Sequence, residues 1–527
     1  MLWHKKFVPS IMLIVILLAG MWMINFTGVQ AAAQTVQTPT NMPMDTVAPM
    51  PPPSSRIFYV STSGKDSNNG SKSAPWRHIQ YAVDKVGSGS TIYVLTGVYK
   101  EKVTFHNSGS AGGGYITLQN AEGHMPVIDG TGLPINGETG LIVIDNKAYI
   151  KVIGFEIRNL KAGGAPSAFP AGIWIRGNGA FLEIRNNAVH DIENSCSECG
   201  AHGIAVYGRD PNASIHDILI DSNTVYNGKF GWSEALVLNG NVEKFTVSNN
   251  IIHDNDNIGI DLIGFEGENP DPAVDRARNG TVVGNLVYNI NTYGNPAYGN
   301  ERSAGGIYVD GGTKIIIERN IIHHANLGIE LASEWAGKST SYITVRNNFI
   351  YSNTQVGIAF GGYDKLRGST ENCLIVNNTL YNNSTQGDWG AELYVQFDTR
   401  NNTVKNNIIY ANASRRFIES WSTVMTGNKV DYNLFFAPGG GTNGTWSWKN
   451  VTYTTFAAYR QATGNDVHSL AGVNPLFVST LAPDLHLKST SPGIDHGQTL
   501  SAAGSLDIDR QARMQGAAID LGADEVR

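Results

Sequence analysis

One short motif recurs nine times along the chain: Asn, then two mostly apolar residues, then Tyr or His in most copies. Its copies begin at Asn187, Asn223, Asn250, Asn285, Asn320, Asn348, Asn378, Asn407 and Asn428. Successive copies lie 36, 27, 35, 35, 28, 30, 29 and 21 residues apart. A period of this size is typical of solenoids, in which each repeat buries its apolar face only against its neighbours. The motif therefore predicts a repetitive, elongated fold.

Each repeat carries two segments that alternate apolar with polar residues, as half-buried strands do. The first contains the Asn motif, as in KFTVSNNIIHD at 244–254. The second follows a short turn and often begins with a Gly-Ile pair, as in IGIDLIG at 258–264. Asn tolerates the left-handed conformation and can bond to stacked copies of itself. We therefore expect two strands per coil, with Asn at a bend.

The first 55 residues differ from the repeats. Lys5 and Lys6 precede an apolar run from 11 to 26, and small residues follow at 31–33. This order predicts an export signal over residues 1–33, with an uncleaved anchor helix as the alternative. Residues 34–55 are rich in Thr and Pro and lack periodicity, which predicts a disordered linker. We therefore expect a secreted protein with no membrane contact after cleavage.

The composition excludes several classes of partner. Charged residues make up 16% of the 527-residue chain, and the formal net charge is −7. This balance, with no basic run, argues against binding to nucleic acid or to an anionic membrane. Coiled-coil heptads that would indicate oligomerisation are also lacking in the sequence, so we expect a monomer.

The chain contains three cysteines. Cys196 and Cys199 form a C-x-x-C pair, for which a small loop disulfide is expected in an exported protein. A zinc site with His190 and His202 is the alternative. Cys373 lies in an apolar run and is expected to be buried.

Three segments of the chain resemble the right-handed parallel β-helix proteins of the pectate-lyase-like superfamily. They are the opening FYVSTSGKDSNNGSKSAPWRHIQYAVDKV with VLTGVYKEKVTF, the Asn repeats, and the ending SPGIDHGQ…GAAIDLGADE. The resemblance implies an all-β, single-stranded right-handed parallel β-helix over 56–527. A short capping helix is expected at Arg77–Val86, and a C-terminal cap that returns along the solenoid at about 434–527. The group includes lyases, hydrolases and epimerases, so it does not select a reaction.

Alignment of the second strands on their Gly-Ile pairs separates inward from outward residues. The inward pairs are Ile173/Ile175, Ile204/Val206, Ile260/Leu262, Ile307/Val309, Ile329/Leu331 and Ile358/Phe360. The outward set includes Asp261, Asp310 and Glu330 on neighbouring coils, and Glu334 follows four residues later. Long insertions follow Asp261 and precede Asp310, and such loops usually form the walls of a cleft. Any one of these acidic residues alone is explained as a solvated surface residue, but the cluster of four on adjacent coils predicts a functional site.

Glycoside hydrolysis needs an acid that protonates the leaving oxygen and a second carboxylate that acts as nucleophile or base. Neighbouring carboxylates push their pKa values apart, which helps one of them to remain protonated. We therefore predict Asp310 with Glu330 or Glu334 as the working pair, Asp261 as a third carboxylate, and a polysaccharide or oligosaccharide substrate. Hydrolysis of this kind requires no cofactor. Expected substrate contacts are Tyr308, Trp335, His323, His324, Tyr207 and Trp174.

Two alternatives remain open. The resemblance also implies β-elimination, with a Lys or Arg base and a Ca²⁺ ion held by Asp residues. Asp254, Asp256 and Asp261 are candidate ligands, but no Lys occupies an outward strand position near Asp310. The second alternative is a non-catalytic carbohydrate-binding or cell-surface solenoid, which predicts aromatic residues along the groove without convergent carboxylates.

Overall fold

The structure, a computed structural model, describes residues 56–527, which lie in one compact unit. The expected export signal and linker therefore fall outside the described residues. In the described part, no helix is long and apolar enough to cross a membrane.

The described chain is a right-handed parallel β-solenoid, as predicted. Each full coil contributes a strand to each of three sheets, rather than the two strands expected. The difference arises at the Asn motif, where the chain bends. In one coil, strand Val242–Ser248 ends just before Asn250, and strand Ile251–Asn255 belongs to another sheet. The expected first strand is thus two strands with a corner between them.

The strand bounds follow the three faces of the solenoid. Sheet 1 contains Arg56–Val60, Ser90–Val94, Ile116–Asn120, Ile150–Ile153, Gly179–Arg185, Ile215–Asp221, Val242–Ser248, Arg278–Val283, Thr313–Glu318, Ser339–Ser341, Thr344–Arg346, Ser369–Glu371, Leu374–Val376, Thr399–Arg400, Thr403–Lys405, Met425–Thr426 and Lys429–Asp431. Sheet 2 contains Gly97–Tyr99, Pro126–Asp129, Glu156–Lys161, Ala188–Glu193, Thr224–Tyr226, Ile251–Asn255, Leu286–Ile290, Ile321–Ala325, Phe349–Tyr351, Thr379–Tyr381, Ile408–Tyr410, Leu434–Phe436 and Leu470–Ala471. Sheet 3 contains Val103–Thr104, Glu138–Asp145, Phe169–Gly177, His202–Gly208, Leu236–Gly240, Ile260–Ile263, Gly305–Asp310, Leu327–Ala332, Val356–Phe360, Leu393–Val395, Arg416–Glu419, Asn443–Trp448 and Val451–Thr455.

The remaining elements lie near the two ends of the described chain. Helix Ile79–Lys85 buries Ile79, Ala82 and Val83, which matches the apolar face predicted for 77–86. A second helix spans Phe456–Thr463, and a 3-10 turn spans Ser501–Ala503. Strands Phe477–Ser479 and Asp484–Leu487 form a hairpin.

The C-terminal segment returns along the corner between sheets 1 and 2. Asn347 donates side-chain hydrogen bonds to the carbonyl oxygens of Ala503 and Leu506. On later coils, Asn377 donates to the Asp520 carbonyl and Asn406 to the Gln498 carbonyl. The segment is thus held against several coils of the solenoid.

The Asn residues of the motif form a continuous hydrogen-bonded ladder. In each coil the backbone N–H and side-chain Nδ2 of one Asn donate to Oδ1 of the Asn in the next coil. The ladder runs through Asn187, Asn223, Asn250, Asn285, Asn320, Asn348, Asn378, Asn407 and Asn433. Asn433, rather than the predicted Asn428, completes it, because Asn428 accepts from Asn402 in a separate row. Backbone N–H and C=O groups at this corner have no partners within the sheets, and the buried Asn amides form hydrogen bonds with them instead.

The Gly-Ile pairs mark the corner that leads into sheet 3. A Cβ atom on Gly306 would lie 2.5 Å from the Ile322 side chain and 2.9 Å from the Gly328 carbonyl oxygen. Gly328 meets the same obstacle on the next coil. Only Gly lets the coils approach so closely at this corner. The six inward pairs predicted from the alignment are all fully buried.

The disulfide predicted between Cys196 and Cys199 is present, which leaves neither thiol for zinc. Cys373 is free and buried, as expected.

A shorter Asn row ends on a buried acid. Asn353 donates to Asn383, whose backbone N–H and Nδ2 donate to the two carboxylate oxygens of Glu392 at 2.8 and 2.6 Å. Glu392 is fully buried, and burial raises its pKa to about 8. Between the ordinary pKa of a glutamate and pH 8, the folded protein therefore keeps Glu392 protonated, whereas the unfolded chain has released that proton.

We expect this proton to make Glu392 a source of pH-dependent stability. The native pKa lies above the unfolded one, so any stability tied to the bound proton is complete at low pH and lost as pH rises towards 8. Relative to Glu392→Gln, the wild type should lose about 2–4 kcal/mol of unfolding free energy between pH 5 and 8. Urea denaturation of both proteins at several pH values measures the difference. Parallel pH profiles would contradict the assignment.

Candidate active site

The predicted acidic residues lie side by side on the outward face of sheet 3. Asp261 pairs with Tyr308 on the next coil, and Tyr308 pairs with Glu330 on the coil after that. Asp310 lies two residues beyond Tyr308, and therefore diagonally between Asp261 and Glu330. The alignment derived from the sequence gave the same register.

These carboxylates are covered rather than solvated. Asp261, Asp310 and Glu330 are only 2%, 6% and 7% exposed. Charged side chains are almost never this buried unless they are paired or protonated. The simple alternative of a solvated acidic surface therefore does not apply to these three residues.

Glu334 is positioned by a loop, not by a continuation of its strand. The strand that carries Glu330 ends at Ala332, and residues 333–338 form a loop. The backbone N–H of Glu334 donates to Oδ1 of Asp310 at 2.7 Å. A hydrogen bond to a carboxylate favours the ionised form, so this contact both orients Asp310 and stabilises its negative charge.

Asp261 is the most deeply buried member of the cluster. Burial, followed by repulsion from Glu234 and Asp310, holds the pKa of Asp261 well above its usual range. Glu266 and Glu334 add to the same effect. Its buried Oδ1 accepts no hydrogen bond from any described residue. Asp261 is therefore either a neutral acid or a ligand for a donor or cation bound on this face of sheet 3, between the insertions that follow Asp261 and precede Asp310, which we call the groove.

Glu330 has the electrostatics of a general acid. Burial raises its pKa to about 7, and a hydrogen bond from Gln396 Nε2 to Glu330 Oε1, 3.0 Å long, opposes part of that rise. A carboxyl group with this pKa carries its proton in a substantial fraction of molecules at neutral pH. Asp310, on the neighbouring coil, supplies a second carboxylate.

Tyrosines and acids from the loops complete the groove. Burial keeps the hydroxyl groups of Tyr298, Tyr308 and Tyr363 protonated by raising their pKa values, and nearby carboxylates add to the effect. Tyr298 lies in the insertion before Asp310, while Glu266 lies in the insertion after Asp261. The insertions themselves were the sequence signal for these walls, although the residues were not identified from it.

Several predicted substrate contacts lie elsewhere. His323 and His324 are on sheet 2, because the Asn motif turns the chain away from sheet 3. His323 belongs to a row of stacked rings with centroids 4.6–5.1 Å apart: His190, Tyr226, His253, Tyr288, His323 and Tyr351. The structure therefore does not bring these histidines into the groove.

Trp174 and Tyr207, the two predicted substrate contacts on early coils, are less accessible than expected. Trp174 faces outward but is only 1% exposed, with the rings of His202 and Tyr207 against it. Tyr207 is half-buried and shares a hydrogen bond with His202 Nε2 at 3.1 Å. Trp335, on the loop after Glu334, is 45% exposed and so retains a face for a ligand.

The residues considered for elimination chemistry are also dispersed. Asp254 bonds to His253 and Asn289, and Asp256 accepts the backbone N–H of Phe230. Asp254 belongs to a sheet 2 strand, whereas Asp261 lies on sheet 3. The structure does bring Lys338 near the groove wall, where its Nζ lies 5.0 Å from the centroid of the Phe265 ring.

Two family models match parts of this chain. The model described as "Pel9A-like, right handed beta helix region" matches residues 58–225. The model described as "Right handed beta helix region" matches residues 297–457. The Pel9A-like match therefore ends before the coils that carry Asp261, Asp310 and Glu330.

Two curated proteins are similar to this chain in sequence, and a solved structure is similar to it in fold. The protein YwoF of Bacillus subtilis, which is uncharacterised, is 42% identical over 436 residues, covering 82% of this chain and 91% of its own. Pectate lyase PEL9 of Emericella nidulans is 34% identical over 114 residues, covering 19% of this chain and 28% of its own. A GH136 lacto-N-biosidase structure from Eubacterium ramulus superposes with a TM-score of 0.50 at 12% identity, covering 72% of this chain and 67% of that one.

Proposed function

We propose, on the premise that this chain belongs to the right-handed parallel β-helix family of Bacillus subtilis YwoF, that it is a carbohydrate-active enzyme. Its reaction is the hydrolysis of a glycosidic bond in the groove on sheet 3. The observation that carries this proposal is that Asp310 lies diagonally across from Glu330 on the neighbouring coil, and that burial raises the pKa of Glu330 to about 7. Such a pair supplies the acid and the carboxylate that glycoside hydrolysis needs.

In this mechanism Glu330 protonates the glycosidic oxygen as the bond to the leaving sugar breaks. Asp310, oriented by the Glu334 backbone N–H, stabilises positive charge on the sugar ring and acts as nucleophile or as base for water. Asp261 and the tyrosine hydroxyl groups of the groove are positioned to bond sugar hydroxyls. No step requires a metal ion.

A second candidate is Ca²⁺-dependent elimination on a uronic polysaccharide. It is favoured by the unpartnered Oδ1 of Asp261 among carboxylates, and by Lys338 as a base on the groove wall. Ca²⁺ prefers several oxygen ligands of this kind. We rank this candidate second because none of the outward strand positions paired with Asp261, Asp310 or Glu330 carries Lys or Arg.

We also propose that the protein is exported and that it acts as a monomer on polysaccharide outside the cell. This part rests on the order of charged, apolar and small residues at 1–33, and on the absence of heptads from the sequence.

We expect one digest to distinguish the reactions. The protein without residues 1–33 is incubated with a panel of neutral and uronic polysaccharides, and products are measured as new reducing ends and as ultraviolet absorbance. Hydrolysis gives reducing ends without absorbance, whereas elimination leaves an unsaturated, absorbing product. Activity should persist with a chelator. Absorbance that disappears with the chelator would favour elimination, and no product from any glycan would favour a binding role.

A further inference from the structure

The groove on sheet 3 continues past Glu330 towards a second group of aromatic residues. In the outward row, Glu330 pairs with Ala359, Ala359 with Tyr394, and Tyr394 with Glu419. Stacked strands lie about 4.8 Å apart, so Tyr394 is roughly 10 Å and Glu419 roughly 14 Å from Glu330 along the solenoid axis. Gln396, two residues after Tyr394, donates to Glu330, so the two regions are directly connected.

Two tryptophans flank this row. The ring of Trp389 lies 6.0 Å and the ring of Trp421 6.1 Å from the ring of Tyr394, measured between centroids. Trp421 is 54% exposed, whereas Tyr394, whose ring packs against it, is 7% exposed. A large exposed aromatic ring costs free energy in water unless a ligand or partner covers it.

Glu419 places a polar group beside the exposed ring. Burial raises the pKa of the Glu419 carboxyl group, and the Arg416 charge, the Gly390 backbone N–H and the Trp421 side chain beside it oppose that rise. Oε2 of Glu419 is buried and forms an ion pair with Arg416 Nη1 at 3.8 Å, but it accepts no hydrogen bond from the described residues. Glu419 is only 9% exposed, so a carboxylate there that lacks a full set of hydrogen-bond donors is costly and has room for a further donor.

We propose that Trp389, Tyr394, Trp421 and Glu419 form a sugar-binding subsite for the same glycan chain that is cleaved beside Glu330. The apolar face of a neutral pyranose covers Trp421, and one of its hydroxyl groups donates to the Glu419 carboxylate. This combination of aromatic surface with a few fixed polar groups is typical of small-ligand sites. A uronic sugar fits less well, because its carboxylate meets Glu419 and the acidic cluster. The inference rests on the proposed function for the position of the cleaved bond.

The experiment measures binding separately from cleavage. The Glu330→Gln variant is titrated calorimetrically with neutral xylo-, gluco- and galacto-oligosaccharides of increasing length, and with oligogalacturonates. We expect affinity to rise once the neutral chain is long enough to reach Trp421. Adding Trp421→Ala should weaken the longer ligands by about tenfold and leave the shortest unchanged. Glu419→Gln keeps the shape of the side chain but replaces one acceptor oxygen with a donor, so it should also weaken binding of the longer ligands.

Tyr342→Ala is the matched control, because Tyr342 is 57% exposed and lies in the bend between two sheet 1 strands, on a different sheet from the groove. It should leave every affinity unchanged. Equal binding by Trp421→Ala and its parent at all lengths, absence of binding by every neutral oligosaccharide, or stronger binding of oligogalacturonates would each overturn the subsite. Length-dependent binding that requires Trp421, in a protein that cleaves nothing, would retain the subsite and reject the hydrolase.

Discussion

Glu330→Gln is expected to reduce kcat/KM on an unactivated glycan by roughly 10²–10⁴-fold, the range that a positioned general acid contributes. Gln matches Glu in shape and keeps an oxygen that accepts from Gln396, so the fold should survive. What it lacks is the proton that Glu330 delivers to the leaving oxygen. Initial rates on the glycan identified by the panel digest measure the effect.

The pH dependence of kcat/KM tests whether Glu330 acts as a proton donor. Burial raises the pKa of Glu330 to about 7, so wild-type kcat/KM should fall as the pH rises above about 7 and the acid loses its proton. The variant should lack this alkaline limb. It should also regain activity on an aryl glycoside, whose leaving group departs without protonation.

Matched substitutions separate catalysis from stability. Asp310→Asn should also abolish activity on both kinds of substrate, because an activated leaving group does not replace the second carboxylate. Glu122→Gln, at an exposed position on an early coil, should have no effect. If Glu330→Gln and Asp310→Asn both retain full activity, the acid and its partner lie elsewhere.

Much of the site was predictable because a solenoid repeats at constant spacing. Once the Gly-Ile pairs were aligned, Asp261, Tyr308 and Glu330 had to lie on successive coils, since stacking preserves register. The loop residues Glu266 and Tyr298 could not be placed in this way, because insertions do not follow the repeat. The burial of Trp174 depends on neighbouring side chains, which a strand pattern does not specify.

The incorrect prediction for His323 has a similar physical cause. Its position after the Asn motif was interpreted as part of one long strand, although the αL residue before each ladder Asn turns the chain into sheet 2. Arg319, with a φ of 53°, occupies that position before Asn320. The αL preference of Asn indicated a bend, but a bend alone does not give the number of sheets.

The largest effect on stability is expected from Asn285→Ala, in the middle of the Asn ladder. Asn285 Oδ1 accepts from both the backbone N–H and Nδ2 of Asn250, while its own Nδ2 donates to Val247 O and to Asn320 Oδ1. Ala removes all four bonds and leaves buried donors without acceptors, each of which costs about 1–3 kcal/mol. We expect a loss of about 3–6 kcal/mol in the free energy of unfolding, since water cannot easily reach this corner.

The matched control for the ladder is Asn300→Ala, at an exposed loop position. Urea denaturation followed by tryptophan fluorescence should show a much lower midpoint for Asn285→Ala and an unchanged one for Asn300→Ala. Because each coil of a solenoid is stabilised by its neighbours, hydrogen exchange in Asn285→Ala should increase most in the coils of Asn250 and Asn320. Equal midpoints for the two variants would mean that the strands alone hold the coils in register and that the ladder adds little.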